Sequence, residues 1–210
     1  ILIGLVGPEM CIRDRPYPLY VENDANCAAL AEYYAGAGKG SKRFVTITLG
    51  TGVGAGILHN GQIYHGANGM AGEVGHMSIV YHGEPCPCGR RGCWERYAAT
   101  TALVRAAKEK NPAWTDGRAI FAAAEAGNPE VLALLDAWTD EIAQGLAGMV
   151  HIFNPQLILI GGGVSAQQKL LIAPIAAKVK ASVMPAFAEG LEVRAAQLHN
   201  DAGMAVSYTH

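Results

Sequence analysis

Cys86-Pro87-Cys88-Gly89-Arg90-Arg91-Gly92-Cys93 places three thiols within eight residues. Thiolates at that density are soft donors, and the intervening glycines let the backbone curl until the three sulfurs converge. Tetrahedral zinc takes a fourth ligand. His76, ten residues before Cys86 at the end of a glycine-rich stretch, is the first choice for it, with His65 and His82 as rivals. A closed set of three cysteines and one histidine leaves no open coordination position, so the implied metal is structural rather than catalytic. Cys27 sits in an alanine-rich run and reads as a core residue.

A second group of residues could do phosphoryl chemistry. Asp24 lies in Glu22-Asn23-Asp24-Ala25-Asn26, where a short strand around Leu19–Val21 gives way to a helix. A carboxylate there either caps the helix or projects rigidly into a cleft as a base. Gly50-Thr51-Gly52 separates two apolar runs and is either a plain hairpin turn or a cradle, whose N–H groups and hydroxyl hold phosphate oxygens. Gly161-Gly162-Gly163 follows an apolar run and precedes a helix, so it can lie flat against a nucleotide. Its spacing is not that of a dinucleotide fingerprint.

The elements that must position these residues can be read from periodicity. A helix runs over 25–35 and is stopped by Gly36, Gly38 and Gly40. Phe44–Leu49 alternates β-branched residues and reads as a strand. Val53–Leu58 returns as its hairpin partner, and Asn60-Gly61 signals a type I′ turn into a third strand at 62–64. Residues 66–95 are loop-like. Helices follow near 101–110 and 117–126. A long one spans 129–153, with Asn128 as cap and Pro129 at the first position. Its apolar stripe, Val131, Leu134, Leu135, Trp138, Ile142, Leu146 and Met149, is core. Strand 156–160, helix 167–184 and strand 191–195 complete a mixed α/β pattern.

Composition narrows the function. Half of the 210 residues are hydrophobic and the formal net charge is −2, which gives no broad basic field for nucleic acid. No apolar run approaches the roughly 18 residues of a membrane span. The sequence shows no secretory signal, so a cytoplasmic location is expected and the clustered cysteines favour metal over disulfides.

The pattern CxCGxxGCxE at 86–95, preceded by Gly72-Glu73-Val74-Gly75-His76, resembles the ROK family of repressors and sugar kinases, most nearly its bacterial glucokinases. The segments at 22–26, 49–56 and 160–164 resemble ROK segments in the same order, so the likeness covers nearly all of 16–205. It implies an actin-like ATPase (ribonuclease H-like) fold, incomplete here. The chain would hold mostly the larger C-terminal domain with a zinc-binding loop (42–205) and a remnant of the small N-terminal domain (16–41). It implies ATP-dependent phosphorylation of a hexose, with glucose favoured, Asp24 as general base, and Asn23, Glu73, His76 and Glu95 on the sugar. Gly50, Thr51, Gly52, Gly161, Gly162 and Gly163 would hold ATP with Mg2+, and His76, Cys86, Cys88 and Cys93 would hold zinc. His76 would serve twice, one ring nitrogen on the metal and the other facing the sugar. A homodimer or homotetramer is expected.

Two features qualify the kinase expectation. Met10-Cys11-Ile12-Arg13-Asp14 can be encoded by a stretch whose reverse complement encodes Val206-Ser207-Tyr208-Thr209-His210. Residues 1–15 and 206–210 therefore read as adapter-derived, non-native ends, and Cys11 carries no weight. Nothing matches the family's first phosphate segment, of DxGGT type, so this chain alone is expected to turn over ATP poorly. The alternative is a sugar-sensing ROK repressor whose DNA-binding region lies upstream. Asp24 and the two glycine loops favour the kinase, because a pure sensor needs neither a base nor an ATP cradle.

Overall fold

The computed structural model describes residues 22–198. The strand expected at Leu19–Val21, Cys11, and a last helix expected after Gly203-Met204 lie outside the described residues. Helix α1 (Asp24–Ala35) leads into β1 (Arg43–Leu49), β2 (Val53–His59) and β3 (Gln62–Ile63). Short α2 (Glu95–Ala98), α3 (Thr100–Lys110), α4 (Gly117–Glu125) and the long α5 (Pro129–Phe153) follow. Then come β4 (Leu157–Gly161), α6 (Ala173–Ser182), short α7 (Pro185–Ala188) and β5 (Glu192–Ala195).

The strands form one sheet in the order β3-β2-β1-β4-β5. β1 pairs antiparallel with β2 through the full hairpin, and β2 likewise with β3. The β2–β3 turn uses Asn60 and Gly61, both at positive φ (54° and 80°), as a type I′ turn requires. β4 joins β1 in parallel, with Thr48 opposite Gly161, and β5 joins β4 in parallel. That arrangement brings the turn after β1 and the end of β4 to the same edge of the sheet. β4 is buried along its whole length, as expected of a parallel strand covered on both faces.

One face carries the main core, in which the α5 stripe belongs to the same buried cluster as residues of β1 and β4: Val131, Leu135, Trp138, Ile142, Leu146 and Met149 are all buried. Asn128 caps α5 by accepting from the N–H groups of Glu130 and Val131, and Pro129 occupies its first turn. The other face packs α1 onto β1 and β2 through Ala29, Phe44, Leu58 and Leu159. Glu32, 1% exposed, accepts from the N–H groups of Ala37, Gln197 and Leu198, tying the end of α1 to the chain beyond β5.

The single helix expected over 167–184 is broken. Residues Gln168–Ile172 form one π turn before α6 begins, and a separate turn starts at Pro185. Pro174 and Pro185 account for both breaks, because neither has an N–H to donate to the preceding turn.

Candidate active site and metal centre

Asp24 is the first residue of α1, and the cap itself is Asn23. Its side chain accepts from the N–H groups of Ala25 (2.9 Å) and Asn26 (3.3 Å). The capping job is thus filled by the neighbour. Asp24 Oδ1 accepts from Ala25 N at 2.8 Å, and the residue is exposed at the mouth of a cleft.

That cleft, about 400 Å³, is lined by Asn23 and Asp24 from α1 and by Gly50, Thr51 and Gly52 from the β1–β2 turn. Glu73, His76 and Glu95 come from the loop region, and Gly162 and Gly163 from the end of β4. All the expected sugar-facing residues and five of the six expected nucleotide-binding ones therefore share one cavity. Gly161 does not line it; it is the buried last residue of β4. The β1–β2 turn is braced from behind. Thr100 N donates to Gly50 O at 2.9 Å, and Thr101 Oγ1 donates to Thr51 O at 2.9 Å. Gly162 has φ of +95°, and a Cβ there would meet Leu49 O at 2.1 Å, so the β4 end can lie against the turn only as glycine.

The loop wall is built differently. Glu73 precedes a single 3-10 turn, Val74–His76, that packs beside β2. His76 Nδ1 lies 3.6 Å from Cys86 Sγ, and Cys88 Sγ lies 3.6 Å from Cys93 Sγ. The four ligand atoms all fall within 4.8 Å of one another. The rival imidazoles are elsewhere: His65 pairs with Glu22, and His82 is exposed beside Tyr81. Cys86 Sγ donates to Glu95 Oε1 at 3.1 Å, linking the thiols directly to a cleft residue.

The electrostatics of this cluster fit a cation. Burial, reinforced by the adjacent Glu95 carboxylate, pushes the Cys86 thiol up to about 12. Burial also raises Cys93, with the Cys88 sulfur adding to it. The Arg90 backbone N–H pulls Cys88 the other way, below the usual thiol range. The buried Cys86 and Cys93 sulfurs, the first of them beside the Glu95 carboxylate, disfavour negative charge, and a bound dication would reverse that. The donors are soft, four in number and closed, which suits zinc in a structural site. Trp94, between Cys93 and Glu95, is fully buried and donates from Nε1 to Glu141 O in α5 at 2.9 Å. Gly145 makes room for its ring, since a Cβ there would lie 2.1 Å away.

A second cavity, about 720 Å³, adjoins the first and shares Leu49, Gly50, Thr51 and Gly163 with it. Its walls also include Thr100, Thr101 and Val104 of α3, Gly117, Arg118 and Phe121 of α4, and Gln167. Sequence reasoning missed these residues. The only local signal was Asp116, which caps α4 by accepting from Ala119 N, and a helix cap does not reveal which cavity it borders.

Comparison with known proteins agrees with this geometry. A family model described as the ROK family matches residues 13–206. The chain is 41% identical over 203 residues to a glucokinase from Halalkalibacterium halodurans, covering 89% of this chain and 61% of that one. It is 32% identical over 187 residues to a xylose repressor from Bacillus spizizenii, covering 88% of this chain and 48% of the repressor. Among solved structures it superposes on a ROK family glucokinase from Streptomyces griseus, determined with glucose and AMPPNP, with a TM-score of 0.86 and 34% identity. That match covers 95% of this chain and 70% of the other. The chain thus spans about three fifths of the length of the curated glucokinase it matches. The fold is the actin-like, ribonuclease H-like one of these sugar kinases. Among the described residues no helix is long and apolar enough to cross a membrane.

Proposed function

The chain belongs to the ROK family, and from that membership and the cleft geometry we propose that it carries the sugar-binding and metal-binding part of an ATP-dependent hexose kinase. The observation that carries this reading is the convergence of Asp24, Thr51, Glu73, His76, Glu95 and Gly163 on one cavity that opens into a larger one. Phosphoryl transfer to a hydroxyl is mostly positioning and electrostatics. A carboxylate must accept the hydroxyl proton while the phosphates are held in line with that oxygen. Asp24 is exposed at the cleft beside the capping residue Asn23, and it is the base. Asn23, Glu73, His76 and Glu95 are the hydrogen-bonding groups for the sugar, and glucose is the favoured acceptor. The Gly50–Gly52 turn and Gly162-Gly163 face the phosphates of ATP, which Mg2+ accompanies. The larger cavity takes the rest of the nucleotide.

His76, Cys86, Cys88 and Cys93 hold zinc. When bound, zinc supplies a fixed node for the loop and no step of transfer. The residues do the rest: His76 turns Nδ1 toward the thiols and leaves its other nitrogen for a sugar hydroxyl, while Trp94 anchors Glu95 to α5.

The xylose repressor among its relatives supports a second reading, a sugar sensor with a DNA-binding region outside this chain. The base and phosphate turns favour the kinase, since a sensor uses neither. The test is Asp24→Asn in this chain joined behind a small domain carrying the first phosphate loop. The parent should phosphorylate glucose. The variant should lose roughly 10²- to 10⁴-fold in kcat, with glucose affinity within about threefold. Equal turnover by the variant would remove Asp24 as base. Glucose binding without any transfer by the parent would favour the sensor.

A further inference from the structure

His65 and Glu22 lie 43 residues apart in sequence and neither lines the cleft, yet their side chains meet at 2.7 Å. Each oxygen of the Glu22 carboxylate has a separate task. Oε1 accepts from Asn23 N (2.9 Å) and Asn26 Nδ2 (2.8 Å), which fixes the first turn of α1 where Asn23 and Asp24 sit. Oε2 accepts from His65 Nε2. These hydrogen bonds outweigh burial and hold the Glu22 carboxyl below its usual range.

On the other side, His65 stands at the neck of the loop that leads to Glu73. Its carbonyl accepts from Ala71 N at 3.0 Å, closing the loop, and Gly72 then passes directly into Glu73 and the turn bearing His76. A continuous set of contacts therefore runs from the Asp24 segment through Glu22, the His65 ring and Ala71 to the Glu73 loop. The metal cluster does not include this span, because its first ligand is His76.

We propose that His65 is a positioning residue: by clasping Glu22 it sets the separation between the wall bearing Asn23 and Asp24 and the wall bearing Glu73 and His76. Its consequence for sugar binding rests on the hexose-kinase reading; the clasp itself does not.

Two measurements on this chain separate those layers. Hydrogen exchange without sugar should show faster exchange at Ala25 and Asn26, and at Ala71 and Val74, in His65→Ala. His65→Gln keeps an N–H donor for the carboxylate and should restore the wild-type pattern. In Glu22→Ala, adding His65→Ala should change little more. Calorimetry with glucose should then give a dissociation constant raised roughly fivefold in His65→Ala, the scale of a part-exposed side-chain pair, and close to wild type in His65→Gln. The clasp is overturned if His65→Ala leaves exchange at Ala25 and Asn26 unchanged, or if His65→Gln behaves as His65→Ala. Its role in sugar binding is overturned if wild type and His65→Ala bind glucose equally. A wild-type chain that binds no hexose counts against the kinase reading instead, and the exchange data still decide the clasp.

Discussion

The two walls of the cleft are held by different physics. The Gly50–Gly52 turn and the β4 end ride on strands whose core residues, Ile47, Leu159 and Ile160, are fully buried and laddered on both sides. The wall bearing Glu73, His76 and Glu95 contains one 3-10 turn, two isolated bridges (Ser78 with Cys93, Pro85 with Arg91) and a short helix. Besides the packing of Val74 beside β2 and the Glu22–His65 contact, its fixed points are the four-ligand cluster and the Trp94 side chain. The sheet wall inherits its shape from the hydrophobic core, whereas on the proposed reading the loop wall takes its shape from a metal held by the four-residue cluster and from one aromatic anchor. A binding site can therefore be rigid on a loop if a few strong, closed interactions stand in for a core.

The harshest way to break that contrast is to remove the metal. Chelation, or Cys86→Ser with Cys93→Ser, should lower glucose affinity at least a hundredfold by calorimetry, because the loop wall loses its node. Far-ultraviolet circular dichroism should stay nearly unchanged and nucleotide binding should persist, because the sheet wall does not depend on the metal. Loss of the whole fold on chelation would show that the two walls are not independent. The next largest effect belongs to Trp94→Ala. Deleting a fully buried indole that fills the space over Gly145 should cost about 3–5 kcal/mol of stability, read as a lower urea midpoint. Zinc content should remain near one per chain, since none of the ligands is touched. A variant that binds zinc normally yet binds glucose normally too would mean that Glu95 needs no anchor in α5.

The contrast also explains which parts were legible in the sequence. Strands β1 and β2, the Asn60-Gly61 turn and α5 with its Asn128-Pro129 start are encoded by neighbours two to four residues apart, so periodicity found them. The convergence of His76, Cys86, Cys88 and Cys93 was legible because three of the four lie within eight residues. Asp24 was visible as a candidate, but which residue caps α1 was not, since two adjacent residues, Asn23 and Asp24, could each have done so. The α3–α4 cavity wall and the Glu22–His65 clasp were illegible for one reason: both depend on contacts between segments far apart in sequence, and no local period records them. The break at Pro174 was present in the sequence, but the apolar run on either side hid it.

The smallest expected effect tests the contrast through acid. Glu22 belongs to the α1 side and titrates as a carboxylate; the loop side fails in acid for another reason, because protons compete with zinc for the thiolates. The folded carboxyl of Glu22 sits below its ordinary value. A depressed carboxylate contributes stability that is fully present above its unfolded value, about 4.3, and is lost as pH falls through the folded one. Stability measured by urea titration from pH 7 to 3 should therefore show a gap between wild type and Glu22→Gln that is constant above about pH 5 and closes toward pH 3. Its size should be about 1 kcal/mol or less, since the pair is partly exposed. Metal loss affects both proteins equally and cancels in the difference. A gap that widened in acid would reverse the sign and mean that the protonated carboxyl is the form the fold prefers. A gap that closed already near pH 6, together with zinc release, would mean that Glu22 reports on the metal wall and that the two walls share one support.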